Sequence, residues 1–435
     1  YKLVEVKAPY GYVLKDTEIP VNVDGSSTEI FMNFDNKTQK GQVYVEKSGE
    51  MLSGVKEEKT DYGTLYTPEY KEQYLSGVTY EITAREDIVT PEGTVWFNKG
   101  DVVDTFTTGD GVTTSSLLQL GKYSIKETTT QTGYVLDENS YNFDIEYAGQ
   151  MIDVVEIKQS YVNERQKLDL QITKTFEDED KEAYKDVVFG VYSKKDITVD
   201  DKVIIPADGL VGTLTIDKDG KNVEHLDLPT GDYYVKELET NVGFKLDEEK
   251  HDFTFNYDED TTKSTVIVPM ELHNEKRRIE LDVNKVDKDH HGAIFEVYDK
   301  TAKSFVTTLA SGQLMIVGDD ANEEYEISKD EDFKKIIKTV KTDENKQIIL
   351  DVDDGIYYSR KVGDDKVSKH VIKDGKAVLA DAIYGHEYEF KEIKAPTSYQ
   401  LADKSKAYKV EGDKDTDTII YYFENARIVV PNTGV

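Results

Sequence analysis

The sequence predicts an all-β fold of tandem β-sandwiches, and three observations carry that reading. Short runs of alternating apolar and polar residues, separated by Gly, Asp and Asn turns, recur along all 435 residues. Tyrosine, which suits a pleated, half-buried surface, occurs 29 times. One strand pattern, Tyr-x-apolar-x-Glu, occurs four times: Tyr1, Leu3, Glu5; Tyr123, Ile125, Glu127; Tyr233, Val235, Glu237; and Tyr388, Phe390, Glu392. Each copy keeps one register, with an aromatic residue seven after the Glu (Tyr12, Tyr134, Phe244, Tyr399) and a Leu nine after it (Leu14, Leu136, Leu246, Leu401). These are internal repeats, and their spacing rather than chain length sets the domain count.

Side chains alternate faces along a strand, so the Tyr, the apolar residue and the Glu point the same way, toward a core. A carboxylate placed there needs partners. Two recurring residues fit. An Asn closes a short apolar segment 31 to 37 residues after each Glu (36−5=31, 274−237=37): Asn36, Asn163, Asn274 and Asn425. A Lys then follows each of the first three Asn by 11 residues (47−36, 174−163, 285−274) and ends an alternating strand: Val43, Val45, Lys47; Leu170, Ile172, Lys174; Leu281, Val283, Lys285. By the same alternation each Lys faces inward.

Residues 1–39 read as the last strands of a first domain, whose earlier half, with any export signal, is expected upstream of Tyr1. The second domain spans 40–165. Its opening strand ends at Lys47, and a long polar insertion rich in tyrosine follows (Tyr62, Tyr66, Tyr70, Tyr74). The third domain spans 166–276 and shares a second register with the second: Asp87-Ile88 stands seven residues after Tyr80, as Asp196-Ile197 does after Phe189. The fourth, 277–427, is larger, with 140 residues from Lys285 to Asn425 (425−285) against 100 from Lys174 to Asn274 (274−174). The excess is assigned to an insertion holding one short helix, from a capping box at Ser328 and Glu331 and from Phe333, Ile336, Ile337 and Val340 at helical spacing. Residues 428–435 form a linker with the string Val430, Pro431, Asn432, Thr433, Gly434.

A net charge of −33 argues against nucleic acid or an anionic membrane surface as partner. With no Cys, disulfides, iron–sulfur clusters and thiol catalysis are excluded. Asp289, His290 and His291 read as a polar turn rather than a metal site. The Asp217–Gly220 turn lacks the later ligands of a calcium loop, because Lys221 and Leu228 stand where ligands are needed. Asp258 to Asp260 and Asp351 to Asp354 read as solvated loops, and the lone Trp96 as packing. No phosphate-binding loop, nucleophile elbow or paired-carboxylate cleft stands out, so no cofactor, metal or turnover chemistry is expected.

The Lys, Glu and Asn arrangement, the run Tyr1-x-Leu-x-Glu-x-x-Ala-Pro-x-Gly-Tyr12 and the terminal string together resemble the SpaA-like, CnaB-type domains of Gram-positive surface proteins and pilins, which have a prealbumin-like or immunoglobulin-like sandwich fold. The strand at Tyr388 keeps Ala395-Pro396 but has Ser398 where Gly is usual, and those at Tyr123 and Tyr233 lack the Ala-Pro. In this family the first-strand Lys and last-strand Asn join in a spontaneous isopeptide bond assisted by the acidic residue. The resemblance implies Lys47 to Asn163 with Glu127, Lys174 to Asn274 with Glu237, and Lys285 to Asn425 with Glu392; Glu5 and Asn36 would serve a Lys outside this chain. The chemistry suits a core, where desolvation favours a neutral, nucleophilic amine and a protonated carboxyl that shuttles protons as ammonia leaves.

The terminal string resembles the Leu-Pro-x-Thr-Gly signal cut by sortase, here between Thr433 and Gly434, with Val430 in place of Leu. That implies a protein outside the cell, covalently attached to peptidoglycan through Thr433, with sortase as partner. The function this implies is an isopeptide-stabilised stalk contributing to adhesion. Family association extends the partners to host extracellular-matrix proteins or other pilin subunits. The rivals are a sortase-polymerised pilin subunit and a cation- or glycan-dependent binder using the last domain's insertion.

Overall fold

The computed structural model describes residues 1–25, 28–178, 181–285 and 291–429, the side chain of Lys285 excepted. Among them no α-helix occurs, and a single short 3-10 turn, Ala183–Asp186, interrupts strand and loop. The described chain divides into two compact units, one of Tyr1–Thr173 with Val188–Leu238 and Glu248–Glu271, the other of Lys174–Val187 with Glu239–Asp247 and the chain from Leu272 onward.

In the first unit, one antiparallel sheet has the strand order Ser140–Ile145, Gly121–Thr129, Thr79–Ala84, Val102–Thr107. It faces a second sheet in which Val154–Asn163 runs parallel to the long strand Lys40–Thr60. Val43, Val45, Tyr80, Ile82, Tyr123, Ile125 and Tyr161 fill the space between them, drawn from alternate positions of both sheets as the sequence alternation requires. The parallel register sets Lys47 opposite Tyr161, two residues before Asn163.

The polar stretch rich in tyrosine is the far arm of a long hairpin, Gly63–Tyr74 pairing back onto Lys40–Thr60. Its Tyr66, Pro68 and Tyr70 alternate as half-buried residues. Leu65 then pairs in parallel with Leu210, and the sheet continues through Leu210–Thr215, Val188–Ser193, Gly231–Glu239 and His251–Phe255. The Arg165 guanidinium lies 3.8 Å from the Tyr70 ring centre, and the Tyr70 hydroxyl donates to the Asp227 carbonyl at 3.4 Å. A segment that reads as polar is thus a strand, with its Tyr70 ring covered by a guanidinium.

In the second unit, Arg278–Lys285 lies between Lys376–Ile383, antiparallel, and Thr418–Phe423, parallel. The facing sheet has the order Ser304–Ala310, Ile294–Asp299, Glu387–Lys394, Lys406–Lys409. Leu281, Val283, Phe295, Phe390 and Phe423 form the core between them. The insertion has its own small core of Leu314, Ile316, Ile327, Ile348, Tyr357 and Ile372.

That insertion corrects the sequence reading, because it contains no helix. Glu324–Ser328 and Ile336–Lys341 are antiparallel strands, and Glu331 and Phe333 lie in the turn between them. The Asp330 carboxylate accepts the N–H groups of Lys334 and Lys335, while the Ser328 hydroxyl accepts from the Asp330 N–H and donates to the Lys335 carbonyl. The supposed capping box is therefore a turn clamp, and Phe333 sits at φ 53, outside any helix. The β-branched Ile336, Ile337 and Val340 follow their strand preference instead. Trp96 stands 59% exposed on the hairpin Ile88–Val89 and Val95–Phe97.

Candidate functional site

Alternation along Lys40–Thr60 turns Lys47 inward behind Val43 and Val45, and alternation along Gly121–Thr129 turns Glu127 inward behind Tyr123 and Ile125. Lys47 is 0% exposed, Glu127 3% and Asn163 1%. The Lys47 Nζ donates to Glu127 Oε2 at 2.7 Å and also to Asn163 Oδ1. The Asn163 Nδ2 donates to Glu127 Oε1 at 2.6 Å and to Thr130 Oγ1 at 2.9 Å. Tyr80 closes the site, with its hydroxyl 3.5 Å from Glu127 Oε2 and its ring 5.5 Å from that of Tyr161. Burial pulls the Lys47 amine below the ordinary lysine value, against the opposing hydrogen bond and charge of Glu127. An amine drawn toward neutrality thus lies against an amide carbonyl whose nitrogen is held by a carboxylate.

The same geometry recurs in part elsewhere. The Lys174 Nζ donates to Asn274 Oδ1, both buried, and the Asn274 Nδ2 donates to Thr240 Oγ1 at 3.0 Å. Glu237 is buried on Gly231–Glu239 behind Tyr233 and Val235. In the last repeat the Asn425 Nδ2 donates to Glu392 and to the Gln400 carbonyl at 2.8 Å. The Lys285 side chain lies outside the described residues, but its backbone pairs in parallel with Phe423, two before Asn425, the same offset as Lys47 to Tyr161. The Asn36 Nδ2 donates to Glu5 Oε1 at 2.8 Å, and both residues are half-buried.

The loop after each Glu is closed by the same two backbone hydrogen bonds in all four copies, with or without Ala-Pro, although Gly243 lacks the positive φ of Gly11, Gly133 and Ser398. The aromatic N–H donates to the carbonyl three residues earlier (Tyr12 to Pro9, Tyr134 to Gln131, Phe244 to Asn241, Tyr399 to Pro396). The N–H three residues after each Asn donates to the residue before that aromatic (Gln39 to Gly11, Gln166 to Gly133, Arg277 to Gly243, Ile428 to Ser398). These bonds fix the Glu-bearing strand against the Asn-bearing one, which is what brings carboxylate and amide together.

In the sequence Thr130 and Thr240 each read as an ordinary strand-favouring residue. Their signal is position: both stand three residues after the Glu, where the other two copies have Ala8 and Ala395. Val430, Pro431, Asn432, Thr433 and Gly434 lie outside the described residues, as do Asp289 and His290. His291 pairs with Asp374 at 2.7 Å, and the Asp217 carboxylate accepts the N–H groups of Asp219 and Lys221 in a plain turn.

Two segments, residues 66–160 and 169–268, match the family model of the SpaA domain, described as a prealbumin-like fold domain. No curated protein matches the sequence. Among solved structures, the chain is similar to the Bacillus anthracis TIE protein, at 17% identity over 90% of this chain and 51% of that one, with a TM-score of 0.43. It thus spans about half the length of that structure. It is also similar to a Streptococcal ancillary pilin (15% identity, 90% of this chain and 99% of that one, TM-score 0.23). The major pilin subunit BcpA of Bacillus cereus is a third (16% identity, 90% and 100%, TM-score 0.23).

Proposed function

We propose that this chain, which carries two SpaA-type prealbumin-like domains, is part of a stalk on a Gram-positive cell surface whose repeats are each closed by an internal isopeptide bond. The observation that supports this most is the Lys47, Glu127 and Asn163 cluster, three buried polar side chains in one core with amine, carboxylate and amide in mutual hydrogen-bond contact. A salt bridge alone would not need the Asn. In the reaction, a proton passes from the Lys47 ammonium to Glu127, and the neutral Nζ attacks Asn163 Cγ. The Nζ–Cγ bond forms, the Cγ–Nδ2 bond breaks, and the Nδ2 leaves as ammonia with one proton relayed through Glu127. The step happens once per repeat, and nothing is turned over. Lys174 with Asn274 and Glu237, and Lys285 with Asn425 and Glu392, follow the same course.

Anchoring by sortase at Thr433, adhesion and partnership with other pilin subunits belong to the same reading and rest on the terminal string and the resemblance. The intact mass of the chain, purified in the absence of any sortase, tests the crosslinks. The expected result is a deficit of one ammonia for each of three bonds, mapped to the named pairs by peptide analysis and abolished at its own pair by Lys47→Ala or Asn163→Ala. A chain of full mass would overturn the proposal.

A further inference from the structure

In the two repeats that lack Ala-Pro, a Thr replaces the Ala, and its hydroxyl accepts from the reacting Asn. We infer that Thr130 and Thr240 are positioning residues of the crosslinking step, an inference that rests on Lys47–Asn163 and Lys174–Asn274 being the reacting pairs. A carboxamide can present either its oxygen or its NH2 group to a neighbour, and only the oxygen is compatible with an approaching amine, which is itself a donor. The Asn163 Nδ2 has two N–H groups, one committed to Glu127 Oε1 at 2.6 Å and the other to Thr130 Oγ1 at 2.9 Å. With both committed the amide cannot flip, so Oδ1 meets the Lys47 Nζ and Cγ stays within its reach. At Asn274 the corresponding bond to Thr240 Oγ1 is 3.0 Å, and Oδ1 again accepts from the lysine, Lys174.

The last repeat solves the same problem differently. There the residue three after the Glu is Ala395, and the second N–H of Asn425 goes to the backbone carbonyl of Gln400 at 2.8 Å. The loop bonds recur with Ala or Thr at this position, and the Ala8 and Thr130 copies also share a positive φ at Gly11 and Gly133. Thr130 is therefore not needed for the fold of the loop, and its hydroxyl has a separate task. That task is orientation of the leaving nitrogen, since the Thr hydroxyl touches the amide and not the amine.

The test follows bond formation in freshly synthesised chain, sampled by intact mass and by peptide mapping of the Lys47–Asn163 crosslink. Thr130→Val keeps the shape and removes the acceptor, and Thr130→Ser keeps the acceptor and removes the methyl. Losing one orienting hydrogen bond is expected to slow the Lys47–Asn163 bond about tenfold in Thr130→Val, with Thr130→Ser within about twofold of the native rate. The Lys174–Asn274 bond in the same molecules is the internal control, and it should be unaffected. Should Thr130→Val fail to fold, Thr130→Ala, the residue found at this place beside Ala-Pro, takes over the measurement with the same expected slowing. Equal rates in native, Val and Ala chains would overturn the positioning role while leaving the crosslink intact, as would slowing in Thr130→Ser equal to that in Thr130→Val. A native chain with no Lys47–Asn163 bond would instead overturn the reading on which this inference rests.

Discussion

Lys47 gives up its water on folding and receives in exchange the oxygens of Glu127 and Asn163, so the cluster stabilises the fold only while all its members are present. The insertion holds another titratable group, the half-buried His370, whose ring nitrogen Nε2 lies 2.8 Å from the Ser359 hydroxyl. Burial pushes the His370 pKa from 6.5 down to about 4. Between those values the unfolded chain takes up a proton that the folded chain refuses, so stability falls as pH drops from 6.5 toward 4 and levels off below it. The difference in unfolding free energy between native protein and His370→Gln is therefore expected to shrink by on the order of 2 kcal/mol across that window. Parallel slopes for the two proteins in acid titrations of denaturant unfolding would refute it. The core-facing Lys, Glu and Asn residues could be read from the sequence because strand alternation fixes which way each points. His370, Thr130 and Thr240 could not, since their roles depend on a neighbour across a strand pair or a loop.

A strand or turn is legible when its pattern has one solution, and the insertion shows a pattern with two. Phe333, Ile336, Ile337 and Val340 satisfy helical spacing, yet Asp330 and Ser328 close a tight turn that ends the possibility of a helix at Phe333. The loop after each Glu can be compared across four copies within one chain, but its conformation could not be read from them, since two copies lack Ala-Pro. Its weakest copy is the last, where Ser398 adopts φ 74 at the place where Gly11 and Gly133 have φ 84 and 96. A side chain in that left-handed region costs about 1 to 2 kcal/mol, partly offset by the greater freedom of glycine in the unfolded chain. Ser398→Gly is thus expected to stabilise the last repeat by about 0.5 to 1 kcal/mol, seen as a higher denaturant midpoint with an unchanged slope. The converse change, Gly133→Ala, should destabilise, because its Cβ would come within 2.4 Å of the Tyr257 ring. A neutral Ser398→Gly would mean that this loop tolerates the strain by means the copies do not share.

At the scale of the whole chain, what matters is where the proposed crosslinks fall along the path of force. Each would join the first strand of a repeat to its last, and those strands run parallel, as Lys40–Thr60 does with Val154–Asn163 and Arg278–Lys285 with Thr418–Phe423. Tension arriving at Asn163 would then pass straight to Lys47, and the chain between them, a separation of 116 residues, would carry none of it. By analogy with a disulfide, a closed loop of that size also stabilises against thermal unfolding by about 4 to 5 kcal/mol through the unfolded state. The mechanical consequence is the larger one, because a covalent path cannot be unzipped by strand separation. Single molecules stretched from both ends are therefore expected to show no lengthening from the second repeat in the native chain. In Lys47→Ala the same repeat should open and release its 116 residues, roughly 400 Å of contour at full extension. The third repeat, still closed between Lys174 and Asn274, should stay shut in that variant, so its 100 residues must be missing from the extension trace. A native chain that lengthens like the variant would show that force runs through the sandwich itself, leaving the parallel strands and their buried lysine to ordinary packing.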